Sequence, residues 1–118
     1  MNSVLITGSN RGIGLGLCKE FAKNNWKVYA TSRKNNKLNE LNKLADKYNL
    51  SIHDMDVNDI NSIEKLSKEI LEPLDVLINN AGIQGSYPQK FDTIKYDEWF
   101  SVFNTNVMGV MRVSNAFL

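Results

Sequence analysis

The sequence of 118 residues is poor in the residues that bind metals or form disulfides. It has one cysteine, Cys18, and one histidine, His53. A single cysteine excludes an internal disulfide, and no cysteine or histidine pair has the spacing of a metal site. These absences favour a protein of a reducing compartment without a bound metal, and we expect it to be cytoplasmic.

Strong charge and long apolar runs are missing as well. The formal net charge at pH 7 is +1, from 14 lysines and arginines against 13 acids. The basic residues are spread along the chain, so nothing indicates a nucleic acid or an anionic membrane as a partner. No run is long and apolar enough to cross a bilayer. The length suits one small domain, residues 1–118.

Short apolar runs alternate with stretches of helical periodicity. Strands of the buried, parallel type are predicted at 3–7, 27–31, 50–55 and 76–78. Helices are predicted at 12–24, about 38–48 and 60–70, and over 94–118 as a short helix followed by a longer one. Asn58 or Asp59 is expected to cap the third helix. This alternation predicts an α/β fold with an incomplete, Rossmann-type doubly wound parallel sheet of about four strands, ordered 3-2-1-4, with helices on both faces.

Two sets of apolar residues in the helices are predicted to belong to the core. The first comprises Ile13, Leu17 and Phe21 with Cys18 and Ala22 beside them, and the second comprises Trp99, Phe100 and Phe103. The first set recurs every four residues, as on one helix face. For the second set a core position is favoured over a substrate pocket.

The strongest local signal is a glycine-rich stretch between the first strand and the first helix. It reads Thr7-Gly8-Ser9-Asn10-Arg11-Gly12-Ile13-Gly14. Gly8 allows the sharp turn out of the strand, Gly12 lets backbone approach a pyrophosphate, and Gly14 allows tight helix packing. The helix N-terminus offers free N–H groups and a positive dipole end to phosphates. A dinucleotide site is favoured, and a purely structural turn is the alternative.

With this motif in place, the sequence resembles the classical short-chain dehydrogenases and reductases, in particular their carbonyl-reductase-like branch. Further matches are Asn79-Asn80-Ala81-Gly82 at the end of the fourth strand, Asp56-Val57 after the third, and Asn106. The resemblance implies that the first lines the path of the cofactor, the second meets the adenine, and Asn106 belongs to the catalytic tetrad. The implied cofactor-binding residues are Thr7, Gly8, Ser9, Asn10, Arg11, Gly12, Ile13, Gly14, Ser32, Arg33, Asp56, Val57, Asn80, Ala81 and Gly82, with Asn106 as the catalytic residue.

Taken singly, the downstream matches have plainer interpretations. Asn80 can satisfy backbone groups at a strand end, as asparagine does in turns. Without the resemblance, Asp56 fits a turn or helix-start residue as well as it fits an adenine contact. Asn106 can simply pair with a neighbouring carbonyl group.

The end of the second strand favours NADP(H) over NAD(H). An NAD site has an acidic residue there to bind the ribose hydroxyls. Here Ser32 and Arg33 stand in its place. Arg33 can hold a 2′-phosphate through a forked, charge-assisted contact, with Arg11 on the same side in the family's geometry and Ser32 as a hydroxyl donor. The alternative is that both arginines are ordinary surface residues.

The resemblance also implies a catalytic serine and a Tyr-x-x-x-Lys pair, which this sequence lacks. Lysine does not follow Tyr29, Tyr48, Tyr87 or Tyr96 at four residues. The sequence ends at Leu118, in the helix that carries Asn106. We therefore expect a domain truncated before the remaining catalytic residues, and inactive alone.

Three hypotheses for function remain open. The first is an NADP(H)-dependent oxidoreductase acting on a small carbonyl or alcohol substrate, represented by its cofactor-binding half. The others are a dinucleotide-binding module without catalysis and an inactive remnant. Self-association is expected through the apolar edge at 76–78 or through the last helix.

Overall fold

The computed structural model describes residues 1–86 and 90–118. Its elements are β1 (Ser3–Ile6), α1 (Gly12–Lys23), β2 (Lys27–Ser32), α2 (Asn39–Lys47), β3 (Leu50–Asp54), α3 (Ile60–Glu69), β4 (Val76–Ile78), a 3₁₀ turn (Phe91–Thr93), α4 (Tyr96–Phe103), a π-helix (Asn104–Met108) and α5 (Gly109–Phe117). The four strands and the first three helices lie where the sequence predicts them, within a few residues at their ends. Tyr87 lies outside the described residues.

The strands form one parallel sheet in the order β3-β2-β1-β4. Because β1 is central, its side chains are buried on both faces. Val4 and Ile6 face the cluster under α1 and α2, whereas Leu5 faces the cluster under α3 and α5. The predicted doubly wound sheet, with its strand order and its helices on both faces, is confirmed.

The N-cap of α3 is Asp59, one of the two residues predicted for it. Its carboxylate accepts a hydrogen bond from the backbone N–H of Asn61 at 3.0 Å. The other candidate, Asn58, instead reaches the π-helix, where its side-chain amide donates to Thr105 Oγ1 at 2.9 Å.

The predicted core face of α1 is wrong by one residue at its start. Gly14, Cys18 and Ala22 are buried, whereas Ile13 is 77% exposed. The buried residues of α1 are all small, and the larger Leu17 and Phe21 are partly buried and pack against the same cluster. Ile13 therefore lies in the first turn with its side chain outside the core.

The predicted core position of the aromatic residues in α4 is also wrong. Trp99, Phe100 and Phe103 are 60%, 75% and 56% exposed. The helical region runs over 96–117, but it consists of two helices of similar length joined by the π-helix, not of a short helix and a long one. Among the described residues, no helix combines the length and the apolar character needed to span a membrane.

Candidate functional site

A large cavity opens at the carboxyl ends of the strands. Its volume is about 1080 Å³. It is lined by twelve of the fifteen residues predicted to bind a cofactor: Gly8, Asn10, Arg11, Gly12, Ile13, Ser32, Arg33, Asp56, Val57, Asn80, Ala81 and Gly82. In open α/β sheets this edge is where ligands bind. The structure thus brings together residues that lie as far as 74 positions apart in the sequence.

The glycine loop, residues 7–14, needs its glycines for three different reasons. Gly8 and Gly12 have positive φ angles of 64° and 56°, which side chains rarely tolerate. A Cβ at Gly12 would meet nothing within 4 Å, so its backbone faces open space. A Cβ at Gly14 would lie 2.0 Å from the carbonyl oxygen of Gly8. The first turn of α1 can therefore pack directly against the loop that precedes it.

The loop is fastened to the end of β4 by a buried hydroxyl group. Thr7 Oγ1 accepts hydrogen bonds from the backbone N–H of Asn80 at 3.0 Å and of Ala81 at 2.9 Å. The side-chain amide of Asn80 in turn donates to the carbonyl oxygen of Gly8 at 3.0 Å. These three bonds join the two glycine-containing segments that the sequence singled out.

Three of the predicted residues lie behind the loop and do not line the cavity. Thr7 and Ser9 are buried, and the Ser9 hydroxyl donates to the carbonyl oxygen of Ile6 at 2.6 Å. Gly14 packs against Gly8. These residues shape the loop from the inside, and the cavity wall itself is formed by the other members of the glycine loop.

The N-terminus of α1 faces this cavity. Its N-cap is Arg11, whose backbone is extended and whose side chain does not cap the helix. Arg11, Gly12 and Ile13 all line the cavity wall. The first N–H groups of an α-helix lack intrahelical partners and carry a partial positive charge. This arrangement can bind an anion.

Basic and polar side chains surround the cavity at the end of β2. Arg33, Lys37 and the buried Ser32 line it there. The Asn36 amide donates to Ser32 Oγ at 3.1 Å, while Ser32 Oγ donates to the carbonyl oxygen of Arg33 at 3.4 Å. Among the described lining residues the one acid is Asp56, beyond β3. The charge at the end of β2 therefore favours an anionic group.

The wall beyond β3 is held in shape by its own turn. Asp56 Oδ1 accepts a hydrogen bond from the backbone N–H of Asn58 at 2.9 Å. Val57 packs against Gly109, where a Cβ would meet Val57 Cγ2 at 2.9 Å. Asp56 and Val57 therefore form a short rigid wall against which helix α5 packs.

Asn106 lies in the π-helix and pairs with a backbone segment beyond β4. Its Oδ1 accepts from the N–H of Ile83 and its Nδ2 donates to the carbonyl oxygen of Ile83, both at 2.8 Å. Ile83 lines the large cavity, whereas Asn106 lines a second cavity of about 700 Å³ beside Trp99 and Phe103. Single π-turns within α-helices are frequent at functional sites. The residue predicted from the family pattern thus orients the segment between the two cavities.

The segment beyond Ile83 is also tied to α4. The hydroxyl group of Ser86 donates to Glu98 Oε1, and its N–H donates to Oε2 at 3.3 Å. The hydroxyl bond is the main cause of a Glu98 pKa below its ordinary value. Glu98 is therefore held as a carboxylate that stabilises this segment.

Several lining residues were not predicted from the sequence. They are Thr31, Asn35, Asn36, Lys37, Met55, Asn58, Ile83, Ser101, Asn104 and Thr105. Five of the ten, Thr31, Met55, Asn58, Ile83 and Thr105, are next to a predicted residue in the chain, and that adjacency is the signal that could have found them. The described tyrosines, Tyr29, Tyr48 and Tyr96, line neither cavity. Among the described residues, no group of three His, Cys, Asp or Glu side chains is placed to hold a metal ion.

Comparison with known proteins agrees with this architecture. A family model described as short chain dehydrogenase matches residues 2–118. The chain is 36% identical to the NADP-dependent 3-hydroxy acid dehydrogenase of Schizosaccharomyces pombe over 124 residues, which cover 98% of this chain and 47% of that protein.

Two solved structures are similar in fold. The structure of an actinorhodin polyketide ketoreductase variant with NADPH superimposes with a TM-score of 0.89 at 30% identity, covering 99% of this chain and 46% of that one. A carbonyl reductase from Pseudomonas aeruginosa PAO1 gives a TM-score of 0.90 at 32% identity, covering 99% and 55%. The chain spans about half the length of the curated relatives it matches.

Proposed function

Because this chain belongs to the short-chain dehydrogenase family, we propose that it binds NADP(H) in the large cavity and is the cofactor-binding part of an oxidoreductase. The substrate in the complete enzyme is a small carbonyl or alcohol, and the bound nicotinamide supplies or accepts the hydride. The observation that carries the proposal is the glycine loop, whose open backbone and helix N-terminus face a cavity at the carboxyl edge of the sheet.

The residues fit a dinucleotide along the whole cavity. At Gly12 the backbone faces open space, so a pyrophosphate can approach the first N–H groups of α1. Asp56 and Val57 form the wall for the adenine. Asn80, Ala81 and Gly82 line the continuation toward Ile83 and Asn106. Each predicted part of the cofactor thus has a lining segment of the expected chemistry.

The preference for NADP(H) rests on the charges at the end of β2. Arg11 and Arg33 line the cavity, and no carboxylate of the described lining residues lies at this strand end. A guanidinium group binds a phosphate with two parallel hydrogen bonds. Relatives with NADP in their names, and the ketoreductase with NADPH, support the same choice.

Asn106 serves the proposed reaction by holding the backbone of Ile83 between the two cavities. Proton transfer to the carbonyl oxygen needs an acid within hydrogen-bond reach of the substrate. None of the described tyrosines lines a cavity. We therefore propose that the 118-residue chain alone binds cofactor without turnover. A binding module without catalysis is the second candidate function, favoured by the same observation.

Self-association is part of the proposal. β4 is a three-residue edge strand whose residues are half-buried, and Val107 and Met111 of the last helical stretch are exposed. Exposed apolar patches and open strand edges favour pairing between chains. Sedimentation is expected to show dimers or larger species at high protein concentration, and a clean monomer would contradict this part.

The test is a calorimetric titration of the chain with NADPH and with NADH. We expect NADPH to bind at least tenfold more tightly, which corresponds to about 1.4 kcal/mol. Arg33→Met should remove most of that preference by weakening NADPH alone. Lys34→Met is the matched control, because Lys34 is exposed but does not line the cavity.

The outcomes separate the parts of the proposal. Equal affinities for the two cofactors would reject the NADP(H) assignment while keeping the dinucleotide site. Failure of a folded chain to bind either cofactor would reject the site in this chain. An equal loss of NADPH affinity in Arg33→Met and Lys34→Met would mean that the overall positive charge, and not the position of Arg33, attracts the cofactor.

A further inference from the structure

Arg112 makes a set of contacts that the proposed cofactor site leaves unexplained. It lies in α5 and is partly buried. Its Nη1 donates to the carbonyl oxygen of Val57 at 3.1 Å and to that of Asn104 at 3.4 Å, and its Nη2 donates to Asn104 Oδ1. One guanidinium group therefore joins the wall beyond β3 to the first residue of the π-helix.

The carbonyl group of Asn104 makes a hydrogen bond of the π type at the end of the π-helix. It accepts the backbone N–H of Gly109, five residues later. In a continuous α-helix it would accept the N–H of Met108, four residues later. Arg112 occupies the remaining acceptor capacity of this carbonyl group and also holds the Asn104 side chain. The contact thus lies at the position where the two helical registers diverge.

The register of this turn decides where Asn106 points. Successive residues of an α-helix differ by about 100° around the axis. A change from the π to the α register would therefore rotate the following residues and move the Asn106 amide away from Ile83. It would also displace Gly109, which now packs against Val57. A second bridge, from Asn58 to Thr105, spans the same two segments.

We propose that Arg112 is a positioning residue that keeps the helix in its π register and thereby holds Asn106 on the backbone of Ile83. Arg112 also donates to the carbonyl group of Val57. It therefore links Asp56 and Val57, the wall proposed for the adenine, to the segment that carries Asn106. This second part rests on the proposed function, whereas the effect on the helix register does not.

The first experiment needs no ligand. Scalar coupling across hydrogen bonds identifies which amide donates to which carbonyl group in solution. In the unaltered chain we expect a coupling between the Gly109 nitrogen and the Asn104 carbonyl carbon. In Arg112→Met this coupling should be replaced by a coupling between the Met108 nitrogen and the Asn104 carbonyl carbon. Amide hydrogen exchange at Ile83 should accelerate at least tenfold.

Two further variants make the result specific. Arg112→Lys keeps the charge but loses the forked donor set, so it should show intermediate exchange at Ile83; it also serves if Arg112→Met fails to fold. Asn115→Met changes an exposed residue of the same helix and should leave both measurements unchanged. A retained Gly109 coupling with unchanged Ile83 exchange in a folded Arg112 variant would overturn the proposal.

The second experiment tests the link to the adenine wall. NADPH should bind Arg112→Met at least fivefold more weakly than it binds Asn115→Met. Unchanged NADPH affinity in Arg112→Met would overturn the link between Arg112 and the adenine wall. The effect of Arg112 on the helix register would still be decided by the coupling measurement. Absence of NADPH binding in the unaltered chain would instead reject the proposed function, and the coupling measurement would still decide the role of Arg112.

Discussion

The two ends of the large cavity are held together by different kinds of contact. At the glycine loop, backbone packs against backbone, as where Gly14 lies against the carbonyl group of Gly8. At the opposite end, which consists of Ile83 and the π-helix, side chains such as Asn106 and Arg112 reach across gaps to backbone groups. At Gly14 the first end has no room for an added methyl group, whereas the second end can lose one hydrogen bond at a time.

This difference predicts how each end responds to substitution. Steric overlap between fixed backbone atoms cannot be relieved by a rotamer change, so its cost is large and abrupt. Loss of a partly exposed hydrogen bond is offset by water, so its cost is small and local. The glycine loop should therefore fail as a unit, and the Asn106 end should loosen by degrees.

The largest effect is expected for Gly14→Ala. Its Cβ would lie 2.0 Å from Gly8 O and 2.5 Å from Asn80 Nδ2. We expect the free energy of unfolding to fall by about 3 kcal/mol or more, measured by urea denaturation. Gly16→Ala is the matched control, since nothing lies within 4 Å of its Cβ; it should stabilise the helix by about 1 kcal/mol. Equal effects of the two substitutions would remove the contrast between the ends.

The next largest effect is expected for Thr7→Val. The substitution keeps the shape but leaves the backbone N–H of Ala81 without its acceptor, and leaves that of Asn80 with only the carbonyl oxygen of Ile78 at 3.1 Å. We expect a loss of about 2 kcal/mol in the free energy of unfolding. Thr31→Val is the control, because its hydroxyl makes one long bond, 3.4 Å, to Ile6 O. A Thr7→Val loss no larger than that of the control would show that the hydroxyl group does not fasten the loop.

The sequence allowed accurate prediction where backbone geometry decides the outcome. The strand order and the turn of the glycine loop into α1 follow from patterns that only a few backbone arrangements satisfy. The prediction for Ile13 is wrong because the buried residues of α1 are Gly14, Cys18 and Ala22, whose small side chains give a weak hydrophobic signal.

The end formed by Ile83 and the π-helix is less predictable from the sequence for a related reason. The π-helix depends on contacts between residues far apart in the chain, such as Arg112 with Val57, and no local periodicity reports them. The predicted core position of Trp99 and Phe103 is wrong because hydrophobicity indicates burial without indicating which residues would cover the side chain.

A smaller effect is expected for Asn106→Ala. It removes two hydrogen bonds to the backbone of Ile83 at an exposed site. The free energy of unfolding should fall by only about 1 kcal/mol, while amide exchange at Ile83 should accelerate. Asn115→Ala, on an exposed position of α5, should change neither. If Asn106→Ala lowered the free energy of unfolding as much as Gly14→Ala does, the expected small and local response of this end would be contradicted.

The smallest effect is expected from protonation of Glu98 at acidic pH. The hydrogen bonds from Ser86 hold the pKa of Glu98 below its ordinary value of 4.5. The stabilisation of the folded chain by the bonds between Ser86 and the Glu98 carboxylate is therefore complete above that value. It is lost as the pH falls through the lower pKa that Glu98 has in the folded state. The amide resonance of Ser86 should shift in this acidic range, and Glu98→Gln should abolish the shift. Asp97→Asn, next to it in α4, should leave the shift in place.

The bonds between Thr7 and the end of β4 have a consequence for the order of folding. They join residues 73 and 74 positions apart, and such distant contacts form only after the entropy of a long loop has been lost. During synthesis the glycine loop is complete after 14 residues, but its partners arrive only with residues 80 and 81. Its final shape is therefore expected late, which would make competence to bind a nucleotide a marker of a completely folded sheet.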